Sequence, residues 1–425
     1  MKTLIHATSA VALLAGLSGA ALADEAVSKA AVLENYADIA EAKYTDSLVT
    51  AQRLQAAVDA FLAAPSPTGL EAAKAAWLAS RVPYQQTEVY RFGNAIVDDW
   101  EGKVNAWPLD EGLIDYVHAS YGGPTDENEL AALNVVANPS FSMSGTEIDA
   151  AMITPALLEG TLHEAYGVEA NVATGYHAIE FLLWGQDLNG TEPGAGNRPW
   201  TDYASGDECT NGNCDRRGEY LKAATDLLVS DLEWMAAQWT ADGEARQTLL
   251  ADEDAGIVAI LTGMGSLSYG EQAGERMRLG LMLNDPEEEH DCFADNTHNS
   301  HYYDGVGIKN VYIGEYVGID GRVVSGPSVS DLVAGVDSDL DAEMTGKLVA
   351  TLLALGQIKT AAEAGFSYDM MLARGNEAGE ALIMGGVNAL VDQTRTIERV
   401  VSALGVEDID FEGSDSLDNP EAVFQ

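Results

Sequence analysis

A histidine and a glutamate three residues apart, His177 and Glu180, are the pair in this chain best placed by type and spacing to act on one ligand. On an α-helix, positions three apart share a face. An imidazole and a carboxylate at that spacing can hold one metal ion, and di-iron bundle proteins use the reverse order, Glu-x-x-His. Phe181 and Trp184 continue the same face, while Ile179, Leu182 and Leu183 fill the opposite one. A helix that is apolar nearly all round is a buried one. Both polar groups therefore need partners, which are each other, an arginine or a metal. The spacing by itself also fits a hydrogen-bonded core pair. Zinc-peptidase patterns fit poorly: His-x-x-Glu-His needs a histidine where Phe181 stands, and His163-Glu164 has Gly167 at the second ligand position of His-Glu-x-x-His.

A second concentration of polar groups follows at residues 287–304. It holds His290, Asp295, His298 and His301, with Tyr302, Tyr303 and Asp304 directly after. Carboxylate and phenolate oxygens with imidazoles suit iron, and neutral imidazoles also suit zinc. A polar loop whose Asp and Asn residues cap helix ends would look the same. Cys209 and Cys214 bracket Thr-Asn-Gly-Asn, a turn short enough to close a small disulfide loop, which leaves Cys292 unpaired.

The elements that must position these groups read as helices. From Leu33 the apolar positions recur through Tyr36, Ala40, Tyr44, Leu48, Ala51, Leu54, Val58 and Leu62, the spacing of one buried helix face. Pro65-Ser66-Pro67 stops that helix. Thr68 with Glu71 reads as a capping box opening a second, which carries Trp77, Arg81, Tyr84 and Glu88 and kinks at Pro83. The motif helix spans about 170–185. Further helical patterns run from 216, then over 255–283, 338–364 and 375–404, with a long loop at 284–330. In that loop Asp320-Gly321 marks a two-residue hairpin turn between Tyr316-Val317 and Val323-Val324. The expected fold is all-α, with two helical-bundle-like domains at 28–195 and 214–405, a linker at 196–213 and a frayed acidic tail at 406–425. Trp77-x-x-x-Arg81 and Glu271-x-x-x-Glu275-Arg276 echo one another faintly, as an internal duplication would.

Met1-Lys2, the apolar run Val11 to Ala21 and Ala21-Leu22-Ala23 read as a cleavable signal peptide over residues 1–23. The oxidising compartment this implies agrees with a disulfide. Against 22 Lys and Arg stand 68 Asp and Glu, a net charge of −46. That excludes nucleic acid and anionic membrane surfaces as partners, since both require basic patches. No later run reaches the roughly 20 apolar residues of a membrane span. Acids spread along the whole chain are also what adaptation to a salty medium produces.

Gly175-Tyr176-His177-Ala178-Ile179-Glu180-Phe181-Leu182-Leu183-Trp184-Gly185 resembles the Gly-x-His-x-x-Glu signature of the imelysin family. Trp77 to Gly93, Asn105 to Asp110 and Asp291 to His298 agree with it in order, the last resembling the iron-regulated-protein branch. The resemblance spans about residues 30 to 400. It implies an all-α fold of two bundle-like domains with the motif near the cleft between them, in an exported, periplasmic protein of iron uptake. It also implies a metal ion, iron first and zinc second, held by His177 and Glu180. Glu88 matches a third carboxylate ligand in related uptake components, and Arg81 would bind an anionic ligand or balance Glu88. Partners implied are a metal ion or iron chelate and an inner- or outer-membrane uptake component. The family has also been classed as metallopeptidases, which would make Glu180 a catalytic base or ligand. A non-catalytic docking protein with a structural motif is the third expectation.

Overall fold

The computed structural model describes residues 27–406 and 409–424, so the expected signal peptide lies outside the described residues. The fold is all-α, with two small antiparallel hairpins. Helix α1 (Lys29–Ala63) and helix α2 (Pro67–Gln85) form an antiparallel pair. Ser66, not Thr68, caps α2: its hydroxyl accepts the Gly69 N–H, with Pro67 at the first helical position, where a missing N–H costs nothing. Pro83 sits in the last turn of α2, which ends two residues later. The buried Lys43 ammonium fastens this corner, donating to the Gln86 carbonyl (2.9 Å) with the Tyr90 and Tyr316 rings beside it. Helix α3 (Ala95–Asn105) and the motif helix α4 (Gly175–Trp184) follow, and α4 packs on both α2 and α3.

Helix α5 (Cys214–Gln238) lies along α1 and against α4. The segment expected as an interdomain linker, residues 196–213, thus leads into a helix that packs back on α1 and α4. It is pinned from inside. Arg198 donates to Asp115 (2.7 Å) and Asp202 (3.2 Å), and Arg217 donates to both oxygens of Asp115 (2.6 and 3.0 Å), all four side chains being buried. Cys209 and Cys214 are joined within the same segment (S–S 2.00 Å). Composition suggested a linker because Gly, Asn and Asp are frequent there; buried ion pairs, invisible to composition, hold it in the core.

Helix α6 (Glu253–Ser266) continues as a π-helical stretch, Leu267–Leu279, ending in a last α-turn at Gly280–Leu283. The segment expected as loop contains helix α7 (Thr297–Ile313). Its first two turns bury Thr297, Ser300, His301 and Asp304, and large apolar residues are buried only further on, at Ile308, Val311 and Tyr312, so the apolar periodicity that reveals other helices is missing from its first half. Helices α8 (Ser338–Glu363), α9 (Tyr368–Leu372) and α10 (Glu377–Leu404) complete the second half, packed with α7 and the π-helical stretch. One large apolar core runs from Leu33 through Trp77, Ile179 and Leu228 to Val400; a smaller one, around Met277, Leu355, Met371 and Leu390, lies under α8 to α10.

Strands β1 (Ser140–Met143) and β2 (Thr146–Asp149) pair around Ser144-Gly145, both at positive φ, a hairpin the sequence reading did not anticipate. Strands β3 (Glu315–Val317) and β4 (Val323–Ser325) form a hairpin where one was expected, but they pair Tyr316 with Val324, whereas a two-residue turn at Asp320-Gly321 would set Val317 opposite Val324. Their loop is longer than a two-residue turn. Gly318 N–H bonds to the Arg322 carbonyl, leaving Ile319, Asp320 and Gly321 at the tip with Gly321 at φ +81°. The C-terminal segment is docked, not frayed: Phe411 abuts Gly265, Ser414 and Ser416 are buried, and Asp418 accepts from the Tyr269 hydroxyl. No helix of the described residues is long and apolar enough to cross a membrane.

The buried Asp115 pairs yield a stability prediction. Asp115→Ala takes the carboxylate from Arg217 and the nearer of two from Arg198, both buried, and should lower the free energy of unfolding by about 3–5 kcal/mol. Urea denaturation reads this directly, and an unchanged midpoint would mean that the pairs do not hold residues 196–217 in place.

Candidate functional site

Gly175 explains how the motif helix can sit where it does. It opens α4 at φ +80°, and a Cβ there would stand 2.5 Å from the Val104 carbonyl oxygen of α3. Only glycine permits both the backbone angle and the close approach. Thr174 Oγ1 donates to the Lys103 carbonyl (2.8 Å), and Trp77 Nε1 donates to the Tyr176 carbonyl (3.0 Å). These bonds fix the axial position and rotation of α4 against α3 and α2, and so the direction in which His177 and Glu180 point.

Both motif side chains are buried. His177 Nδ1 lies 3.0 Å from Glu180 Oε2, and Glu180 Oε1 accepts the Ala294 N–H (2.9 Å). His177 Nε2 has no hydrogen-bond partner among the described residues. Burial, then the Arg81 guanidinium, pushes the His177 pKa down to about 3, so the ring is neutral. Burial and the neighbouring Asp291 push the Glu180 carboxyl well above its ordinary range. A carboxylate holding one imidazole nitrogen while the other stands unpartnered is the arrangement that orients a metal-ligating histidine.

Opposite α4 lies the segment before α7. The His290 ring meets that of His177 edge to face at 4.9 Å, and Asp291 Oδ1 is 4.0 Å from His177 Nδ1. Ligand atoms of His177, His290 and Asp291 all lie within 4.8 Å of one another. Asp291 is held on every side. Arg81 donates to Oδ1 (2.6 Å) and Oδ2 (3.3 Å), and Asn296 (2.7 Å) and Ser300 (2.5 Å) donate to Oδ2. Burial pushes its pKa up, but Arg81 and these donors outweigh that and leave it at about 2, so Asp291 is a carboxylate. Arg81 in turn donates to Asn105 (2.7 Å) and is boxed by the Trp77, Tyr84 and Tyr176 rings. With the Gln85 amide turned to satisfy its neighbours, its oxygen accepts from His290 Nδ1 (3.3 Å) and its nitrogen donates to Asp304 (3.1 Å).

The remaining expected residues are placed elsewhere. Glu88 accepts from Arg276 (2.7 Å), which also binds Glu271 (2.7 Å) and Asp304 (3.3 Å); Glu88 does not join the His177 group. Arg81 balances Asp291, not Glu88. His298 and His301 lie on α7. His301 is buried with its ring 5.2 Å from that of Tyr368, and His298 Nε2 is 3.0 Å from the Asn299 amide. Asp295 stands beside Asp187 and Asp369, apart from His290. Of His290, Asp295, His298 and His301, the candidates expected in the second polar cluster, His290 alone joins the motif pair. Asp291 and Gln85 were missed as site residues; Asp291's position next to His290 was the available signal. A cleft of about 410 Å³ lined by Trp107, Tyr121, His177, Gln186 and Cys292 reaches the group from one side. A second, of about 480 Å³, reaches His290 past Trp107.

An all-α protein built around a buried histidine–carboxylate centre between α4 and the segment before α7 is the class these features define. The imelysin family model matches residues 40–397, and the chain belongs to that family. Among solved structures it is similar to an iron-regulated protein A precursor from Parabacteroides distasonis (TM-score 0.63, 20% identity, 88% of this chain and 95% of that one). It is similar also to an imelysin-like protein from Psychrobacter arcticum (TM-score 0.55, 16% identity, 91% and 98%). Iron-regulated protein A of Synechococcus elongatus is 34% identical over 67 residues, 16% of this chain; the match spans about a fifth (19%) of that relative's length.

The buried histidines predict a pH dependence. Burial, then Arg276, pushes His301 down to about 3. Below its unfolded pKa of about 6.5 the unfolded chain takes up a proton that the folded one refuses, so this contribution destabilises the fold as pH falls. His301→Gln should therefore make the slope of unfolding free energy against pH shallower by up to about 1.4 kcal/mol per pH unit between about pH 6 and 4.5. Denaturant titrations across that range, wild type against variant, test it; parallel curves would show that His301 is protonated in the folded protein.

Proposed function

We propose that this chain is an exported, periplasmic metal-binding protein of iron uptake, which holds iron at a centre made by His177, His290 and Asp291. The observation that carries the reading is that one ligand atom each of His177, His290 and Asp291 lie within 4.8 Å of one another, all three residues being buried, while His177 Nε2 lacks a hydrogen-bond partner among the described residues. Two imidazoles and a carboxylate suit iron and, as the second choice, zinc. Glu180 then acts as the group that orients His177, and Arg81 fixes Asp291. The iron assignment leans on the names of the similar proteins from Parabacteroides distasonis and Synechococcus elongatus, and export on the precursor designation of the former. Binding is favoured over peptide hydrolysis because His177 and Glu180 are 1% and 0% exposed, which leaves no room for an extended polypeptide beside them. Iron is then cargo, received as an ion or small chelate through the clefts beside Trp107 and passed to a membrane uptake component.

Calorimetric titration of metal-stripped protein with ferrous, ferric-citrate and zinc species tests this. His177→Ala should abolish the tight site, and Glu180→Gln should weaken it by roughly 10–100-fold. Binding that survives His177→Ala unchanged would remove the assignment and leave the motif a structural pair.

A further inference from the structure

Away from the histidines lies a second polar centre made only of carboxylates. Asp187 follows α4, Asp295 precedes α7 and Asp369 is on α9, yet one oxygen of each lies within 4.8 Å of the other two. Asp369 is buried and Asp187 and Asp295 are half-buried. None of the three makes an ion pair among the described residues. A fourth carboxylate points independently to a missing charge. Glu289 is 0% exposed, lies against Asp369, and neither of its oxygens receives a well-formed hydrogen bond, the Thr297 hydroxyl standing nearby. Asp295 Oδ1 is likewise buried and unpartnered. Asp187 Oδ1 accepts from the Asn189 N–H (2.8 Å) and side-chain amide (2.7 Å), and Asp369 Oδ2 from the Ser367 hydroxyl (3.3 Å), yet these neutral donors bring no positive charge. Buried carboxylates that face one another are costly unless a cation or a proton stands between them. The cavity beside Asp187, Glu287 and Asp369 has a volume of about 10 Å³, room for a single ion or water and for no organic ligand.

We propose that Asp187, Glu289, Asp295 and Asp369 form a second cation site, of the calcium class, distinct from the His177 centre. The donor set is all carboxylate, with neither imidazole nor thiolate, and such a set selects a hard divalent cation; several anionic ligands favour calcium over the largely hydrated magnesium. The ion ties three segments remote in sequence. Two of its ligands, Glu289 and Asp295, flank His290, Asp291 and Ala294, which contact the motif pair. The site thus clamps α9 and the end of α4 onto the segment that completes the His177 centre, whatever that centre holds. Shared protons are the rival occupants: burial and the neighbouring Asp369 push Asp295 up to about 8, and burial pushes Asp187 up to about 6.

Titration of the full chain with calcium chloride at physiological ionic strength, followed by calorimetry, decides between them. One saturable site should stand out above diffuse binding to the acidic surface. Asp369→Asn should weaken it by about tenfold or more, since calcium affinity follows ligand charge. Asp187→Asn, at a half-buried position and with the oxygen that Asn189 binds kept, should weaken it as well, with far-UV circular dichroism confirming the fold of each variant. His177→Ala should leave it intact. The proposal is overturned if the wild type shows only diffuse binding, if the folded Asp variants bind calcium as the wild type does, or if His177→Ala alone abolishes the site.

Discussion

The guanidinium of Arg81 against the carboxylate of Asp291 is the contact on which the polar interior depends. Both groups are buried, and each would be costly alone. Together they bind through two nitrogens and two oxygens; Asn105 accepts a further guanidinium N–H, and Asn296 and Ser300 donate to Oδ2, so Oδ1 keeps capacity on the side where His177 and His290 stand. The pair joins α2 to the segment before α7, regions 210 residues apart. It also sets the charge state around it. The guanidinium helps to keep His177 neutral, and a neutral imidazole is the form with a lone pair to offer. The aromatic box of Trp77, Tyr84 and Tyr176 keeps the guanidinium in place, so the first bundle's packing and the site's electrostatics rest on the same side chains.

A similar arrangement recurs beside it. Arg276, from the π-helical stretch, gathers Glu88, Glu271 and Asp304, and Gln85 bridges this group to His290. Arg198 and Arg217 do the same for Asp115 and Asp202. Arginine suits these positions because its planar fork can satisfy several oxygens at once and stays charged when buried. In a chain with 22 basic residues against 68 acidic ones, several of those few arginines are spent in the core. The carboxylates around Asp369 have no such partner among the described residues, which is why they stand out.

Much of the architecture was legible in the sequence. The three-and-four spacing from Leu33 to Leu62 marks α1, and comparable patterns mark α5, α6, α8 and α10, because each buries an apolar face that periodicity reports. Helix α7 was not legible, because it buries Thr297, Ser300, His301 and Asp304. Residues 196–213 were misread for a related reason: their Gly, Asn and Asp content describes a loop, while Arg198 and Asp202 make it an interior one. The Ser144-Gly145 turn was a weaker hairpin signal than Asp320-Gly321 and went unread.

At the candidate site the division is sharper. Sequence alone determined that His177 and Glu180 share a helix face and that the helix is buried, since spacing and apolar surroundings are local properties. The sequence pattern carried that helix back to about residue 170, and its start at Gly175, set against the Val104 carbonyl, was decided by the packing. Which third and fourth groups meet the pair was decided only by tertiary structure. Glu88 and Asp291 are both acids that chemistry would accept, and the arginine that each one finds separates them: Arg276 draws Glu88 away, and Arg81 holds Asp291 beside His177. Long-range pairing of buried charge depends on how helices pack, and no local pattern in the chain encodes it.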